Sequence, residues 1–131
     1  MGTITRSAQT SASLPLTPQV FQILLSLADQ PLHGYAIIAD IEARTSGEIR
    51  LTASTLYDAL ARLVDSALIT ELSAPPQGTT DHDARRRYYE LSELGRNAVR
   101  LEATRLQRLV EMARHKNLAP VNGPAKGRGR R

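Results

Sequence analysis

Cysteine and tryptophan are absent from this sequence, and phenylalanine occurs once. Without cysteine there is no disulfide, no thiolate metal site and no cysteine nucleophile, and the composition suits a reducing compartment. Only four tyrosines join that phenylalanine, so a core has to be assembled from Leu, Ile, Val and Ala. No apolar run reaches the ~20 residues of a membrane-spanning helix. The opening stretch MGTITRSAQTSAS has one Arg and no apolar segment, unlike a secretory signal. A soluble, cytoplasmic chain with no membrane partner is expected.

The motifs of common enzymes are missing too. There is no GxSxG, no phosphate-binding P-loop and no glycine fingerprint for dinucleotides. Of His33, His82 and His115, only His82 has neighbouring carboxylates, in Asp81-His82-Asp83, and adjacent loop residues chelate poorly. No metal, cofactor or enzymatic activity is expected. His33, just ahead of Gly34-Tyr35, suits a helix cap or a phosphate neighbour better than a catalyst.

What is present is a charge asymmetry and a clear order of elements. The formal charge of +4 comes from the end of the chain. Lys116, Lys126, Arg128, Arg130 and Arg131 are five bases with no acid among them, while residues 1–115 hold twelve bases and thirteen acids. Nucleic-acid binding therefore has to be argued from local clusters and not from the isoelectric point. Thr17-Pro18 marks a helix start, followed by the apolar positions Val20, Phe21, Leu24, Leu25 and Ala28, with Pro31 as the stop. A second helix is expected from about Gly34 to Gly47. Thr52 caps a third, TASTLYDALARL and onward, whose Leu56, Ala59, Leu60, Leu63 and Val64 face inward. LITELS (68–73) and RRYYEL (86–91) then alternate as two strands of a hairpin, joined by the polar loop APPQGTTDHDAR. By that alternation Tyr89 and Leu91 share one face while Arg86, Tyr88 and Glu90 share the other, Tyr88 being the more exposed tyrosine. Ser92 caps a long fourth helix running to about Lys116, with Glu93 in its first turn. The fold class expected is mainly α with a small β-hairpin: a winged helix-turn-helix plus a long C-terminal helix. The divisions are a flexible arm at 1–16, the winged helix at 17–91, a dimerisation helix at 92–116 and a disordered basic tail at 117–131.

Three blocks, PLHGYAIIADIE (31–42), LTASTLYDALARLVDSALI (51–69) and RRRYYELSELG (85–95), resemble the PadR family of bacterial transcriptional regulators, in its short-tailed subgroup with a single C-terminal helix. The pair TLY-x-AL-x-RL and R-YY-x-L-x-x-x-G is the specific part of the match. Where the family usually has proline and glycine or serine before TLY, this chain has Ala53 and Ser54, and Ala67 stands where a glycine is usual. Alanine pays on the order of 1 kcal/mol in a left-handed cap, so the end of helix three is expected to be built differently here.

The resemblance implies a dimeric regulator of double-stranded DNA, in the first instance a repressor occluding a promoter palindrome and released by a small apolar or aromatic effector. The outer face of helix three would enter the major groove. Its candidate contacts are Thr52, Ser54, Thr55, Tyr57, Asp58 and Arg62, with Tyr35 at the start of helix two. The hydroxyls also fit plain capping, and Tyr57 fits a half-core position. Arg85, Arg86, Arg87 and Tyr88 would grip the backbone from the wing, each arginine steepening the salt dependence by nearly one unit; the bland reading pairs these arginines with Asp81 and Asp83. A homodimer seam is assigned to Leu101, Leu106, Leu109, Val110 and Ala113 of helix four, joined by Phe21 and Leu25. The basic tail AKGRGRR suits a non-specific electrostatic arm better than a minor-groove reader. Two other functions fit the same residues: a winged helix used for protein interaction, and an architectural DNA binder driven by the tail.

Overall fold

A computed structural model describes residues 15–120. The expected arm up to residue 14 and the basic tail from residue 121 lie outside them. Helix α1 spans Pro18–Ser26, and the Thr17 hydroxyl caps it by accepting from the Val20 N–H at 3.1 Å. Its last turn tightens as the Leu27 and Ala28 amides donate to Leu24 and Leu25. The helix thus ends ahead of Ala28 and Pro31, earlier than the proline alone suggests.

The chain next forms a strand that alternation did not reveal. β1, Leu32–His33, is two residues long and pairs antiparallel with β3, Tyr88–Leu91. β2, Ile69–Glu71, pairs with the other edge of β3, so the expected hairpin is a three-stranded sheet in the order β1-β3-β2. A two-residue strand carries too little pattern to read from sequence. Being central, β3 has both backbone edges satisfied, and Tyr88 and Tyr89 are both buried, Tyr88 beneath His33 of β1. The expectation that Tyr88 is exposed is therefore corrected.

Helices α2, Gly34–Arg44, and α3, Ala53–Asp65, form the pair behind which the sheet lies. Leu56, Ala59, Leu60 and Leu63 of α3 enter the core with Ile23, Leu24, Ile37 and Ile41, whereas Val64 remains exposed. Each fully buried aliphatic of this set contributes about 1.5–3 kcal/mol of transfer free energy. A polar cluster ties α1 to α2 outside that core. Arg44 donates to Asp40 at 2.8 Å, to the buried Ser26 hydroxyl at 2.7 Å and to the Gln22 carbonyl at 3.0 Å. Burial pushes the Asp40 carboxyl up, but hydrogen bonds from Ser26 and Arg44 outweigh it and hold it below the usual range.

Helix α4, Glu93–His115, starts on the body and leaves it. Ser92 caps it by accepting from Gly95 N–H at 3.0 Å. Gly95 is required there, because a Cβ would overlap the Leu68 carbonyl oxygen and sit 2.7 Å from Leu91. Ala98 and Glu102 are buried on the same face. Glu102 accepts from the backbone N–H of Leu16 at 3.3 Å and from Arg105 at 2.7 and 3.0 Å. The Arg105 pair holds its carboxyl below the ordinary value against the opposing effect of burial, with Leu16 adding to the pull. Leu16, assigned to a flexible arm by sequence, is itself buried in the core.

Three helices end alike. Ser46, Ala67 and Asn117 take φ values of 53°, 65° and 63°, each just past a helix. In each case the next residue's amide reaches back five positions: Gly47 to Glu42, Leu68 to Leu63 and Leu118 to Ala113. This is the Schellman arrangement, which satisfies otherwise orphaned carbonyls. The end of α3 is therefore built in the left-handed manner after all, with Ala67 carrying the strain that a glycine would avoid. Ala67→Gly is expected to raise stability by about 0.5–1 kcal/mol, relief of strain exceeding the entropy lost to a freer unfolded chain. A urea titration checks this, and a lowered midpoint would show that the alanine is not strained.

Candidate nucleic-acid interface

Thr52 stands at the head of α3 in an extended conformation, and its hydroxyl accepts from Thr55 N–H at 3.1 Å while bonding the Thr55 hydroxyl at 3.0 Å. Thr52 and Thr55 thus form the cap, yet both stay exposed. Ser54, Asp58, Ala61 and Arg62 continue the exposed face over the next two turns. Asp58 and Arg62 are not among the ion pairs of the described residues, so Arg62 is not held by the carboxylate four residues before it.

Tyr57 has a different position. It is half-buried, packs on the core and lays its hydroxyl against Gly34, the first residue of α2. A Cβ on Gly34 would overlap that hydroxyl and lie 2.6 Å from the ring Cζ. This glycine therefore sets how closely α3 approaches the start of α2. The half-core reading of Tyr57 describes its placement.

His33 caps α2 through its ring. Nδ1 accepts from Ala36 N–H at 3.1 Å, which requires that nitrogen to be unprotonated, and the ring meets Tyr88 edge-on at 5.4 Å. Burial and the nearby Arg86 guanidinium push the imidazole below its ordinary value, with Asp83 opposing them. Tyr35, the next residue but one, is exposed, and the Arg86 guanidinium lies 5.4 Å from its ring centroid.

The segment between β2 and β3 is made of successive turns. Asp83, Ala84 and Arg86 amides donate to the Thr80, Asp81 and Asp83 carbonyls at 3.0–3.3 Å. Arg86 pairs with Asp83 at 2.8 Å, and Arg87 lies 3.8 Å from Glu71 across the β2–β3 ladder. Arg85 is exposed. Arg86 and Arg87 precede the first strand residue, so strand alternation did not apply to them. The structure thus brings Arg86 to Tyr35, and Tyr57 to Gly34, the residue before Tyr35. Tyr88 is buried against His33 and is not part of the exposed face. The bland reading of these arginines, a pairing with Asp81 and Asp83, describes Arg86 on Asp83, while Glu71 is the partner of Arg87 that sequence reasoning missed. Among the described residues no cluster of His, Asp or Glu could hold a metal ion, and no helix is long and apolar enough to cross a membrane.

The apolar stripe of α4 continues past the body. Leu101, Leu106, Leu109 and Val110 are exposed, and Ala113 is partly so. Phe21 and Leu25 are half-buried, Phe21 lining a groove of 560 Å³ with Leu106, Pro18, Glu102 and Arg105.

Three helices, with a short strand between the first two, followed by two strands joined by a long loop and completing a small sheet, make this a winged helix-turn-helix. Its relatives define it further. The Transcriptional regulator PadR-like family matches residues 23–101, and the chain belongs to that family. Its members are transcriptional regulators and not enzymes. An uncharacterized 37.1 kDa protein in a Streptomyces fradiae transposon is 41% identical over 87 residues, covering 66% of this chain and 22% of that protein. The chain therefore spans under a quarter of that relative. A PadR family transcription regulator from Clostridium difficile superposes with a TM-score of 0.60 at 23% identity, over 73% of this chain and 94% of that one. Bacillus subtilis PadR in complex with operator DNA superposes with a TM-score of 0.53 at 24% identity, over 66% of this chain and 46% of that one.

Two predictions follow from the geometry around α2. Gly34→Ala is expected to cost about 1–3 kcal/mol through overpacking against Tyr57, and Tyr57→Ala in the same chain should recover part of that loss. Additive effects of the two substitutions in urea titrations would show that the ring and the glycine are independent. For His33, the neutral ring is the folded form. Below the ordinary value of 6.5 the unfolded chain takes up a proton that the folded chain resists, so stability is fully present above that value and falls as pH drops through the depressed folded value. Melting temperatures between pH 7.5 and 5 should show the decline, and His33→Asn, which keeps a cap acceptor without titrating, should flatten that component.

Proposed function

We propose that this chain is a sequence-specific DNA-binding regulator acting as a homodimer, in the first instance a repressor that occludes a palindromic site. The observation that carries the reading is the outer face of α3, which begins with exposed capping hydroxyls and continues through small and polar residues. Ser54, Thr55, Asp58 and Arg62 are the base and phosphate contacts, because small side chains let the helix backbone approach the floor of the major groove. Arg85 and Arg87 grip phosphates from the wing. That Bacillus subtilis PadR has this fold in complex with operator DNA supports the assignment.

Dimerisation rests on α4. The face that covers the core through Gly95, Ala98 and Glu102 is continued by Leu106, Leu109, Val110 and Ala113 at helical spacing. An apolar stripe that runs off its own body favours a second copy of itself. Two recognition helices related by a two-fold axis would read half-sites about one turn of DNA apart. The groove beside Phe21 and Leu106 is the seat we assign to a small apolar or aromatic effector that releases DNA.

The test is fluorescence anisotropy across salt concentrations, with duplexes selected from a random pool and their scrambled counterparts. Selected duplexes are expected to bind about 10³-fold or more tighter. That preference should survive deletion of residues 121–131 and weaken sharply in Leu109→Asp, which separates the dimer. Equal binding of both duplexes that disappears with the tail would identify an architectural binder, and no salt-dependent binding at all would identify a protein-interaction module.

A further inference from the structure

The three consecutive arginines of the wing are not equivalent in the fold. Arg87 is 70% exposed and its contact with Glu71 is long, at 3.8 Å. Arg85 is exposed. Arg86 is only 32% exposed, its Nε donates to Asp83 at 2.8 Å, and its guanidinium lies over the Tyr35 ring at a distance suited to cation–π attraction. Asp83 is 35% exposed and its backbone carbonyl also accepts from the Arg86 N–H, so side chain and main chain close the same turn. Tyr35 belongs to the first turn of α2, directly after the His33 cap. The guanidinium thus joins the end of the wing loop to the start of the helix-turn-helix, two parts that no other ion pair among the described residues connects.

We infer that Arg86 is a positioning residue: held by Asp83 and Tyr35, it fixes the wing against α2 and leaves phosphate contact to Arg85 and Arg87. The inference deepens the DNA-binding reading and rests on it for its meaning, but its structural half can be tested without DNA. A phosphate-contacting arginine and a positioning arginine differ in what their loss does to salt dependence. Removing one phosphate contact lowers the slope of log affinity against log salt by about 0.9. Removing a positioning residue lowers affinity and leaves that slope in place. Asp83 separates the two further. If Arg86 touched phosphate, neutralising Asp83 would release the guanidinium to DNA and tighten binding. If Arg86 positions the wing, the same change loosens the loop and weakens binding.

The experiment uses the full chain with Arg86→Gln, Asp83→Asn, the double variant, Arg85→Gln and Arg87→Gln. In free protein, hydrogen exchange at the Asp83, Ala84 and Arg86 amides is expected to quicken about twofold to fivefold in the Arg86 and Asp83 variants, the range for loss of a half-exposed ion pair. Arg85→Gln should leave those amides unchanged. With a duplex selected by the wild-type protein, Arg86→Gln and Asp83→Asn should both weaken binding at constant slope, and the double variant should be no weaker than Arg86→Gln alone. Arg85→Gln and Arg87→Gln should each flatten the slope by about 0.9. Unchanged exchange in Arg86→Gln, a slope reduced by about 0.9 in that variant, or tighter binding in Asp83→Asn would each overturn the assignment. Failure of the wild-type chain to prefer its selected duplex would instead overturn the DNA-binding reading, and the exchange rates would still decide whether Arg86 holds the loop.

Discussion

The turn at Ala67 and Leu68 holds three elements at once. Leu68 N–H closes the end of α3 by donating to Leu63 at 3.0 Å. Its carbonyl accepts from Ser92 N–H at 3.1 Å, and the neighbouring Ala67 carbonyl accepts from the Ser92 hydroxyl at 2.7 Å. Ser92 is in turn the cap of α4. The last turn of α3, the first residue of β2 and the first turn of the long helix therefore share two peptide units. Gly95 completes the junction, since any side chain there would strike the Leu68 carbonyl. This explains why a strained alanine is tolerated at position 67. A left-handed turn is what aims β2 away from α3 and brings Leu68 back against α4, and its cost of roughly 1 kcal/mol is small beside the burial it permits.

The same junction shows what sequence could and could not reveal. Caps were legible, because Thr17, Thr52 and Ser92 have hydroxyls ahead of apolar helical spacing, and all three accept from the expected first-turn amides. His33 was legible as a cap for a related reason, standing just ahead of a helical pattern that opens on glycine. The order of helices and strands followed from changes of period. What periodicity could not supply was anything depending on one residue's backbone or on a distant partner. Leu32–His33 is too short to alternate, so the third strand went unseen, and with it the burial of Tyr88. Ala67 was read by its usual conformational cost and not by the turn it must serve. The burial of Glu102 had no local signal in the sequence, since its partner Leu16 is 86 positions away.

On the candidate interface, the structure redistributes roles within motifs that looked uniform. TASTLYD divides into a cap (Thr52 and Thr55), an outward face (Ser54 and Asp58) and a packing residue (Tyr57). Arg85, Arg86 and Arg87 divide according to their neighbours, with Arg85 and Arg87 exposed and Arg86 half-buried between its partners. Both divisions follow from the same physical fact: a binding surface made by two elements needs residues that fix the elements to each other as well as residues that face outward. Tyr57 on Gly34 meets the first need for α3 and α2, and Arg86 on Asp83 and Tyr35 meets it for the wing. Residue type alone does not distinguish the two uses, because a tyrosine or an arginine serves either.

Helix α4 carries a comparable division along its length. Glu102 lies near the point where the helix leaves the body, and it is buried there with Arg105 and the Leu16 amide as partners. Before it, Gly95 and Ala98 are small because the helix lies close on the core. After it, Leu106, Leu109 and Val110 are large because there is no core left to approach. A charged residue is an expensive occupant of that position unless fully paired, and the bidentate arginine with the backbone donor provides the pairing. Its effect is to tie the segment ahead of α1 to the helix at the boundary between its two halves. Rotation of α4 about its axis would break the Leu16 N–H bond to Glu102 and unseat Ala98 from the core, so the direction in which the outer leucines face is set by the inner contacts. A seam between two copies built on those leucines would inherit its orientation from Glu102, and through the Ser92 junction that orientation is passed to α3.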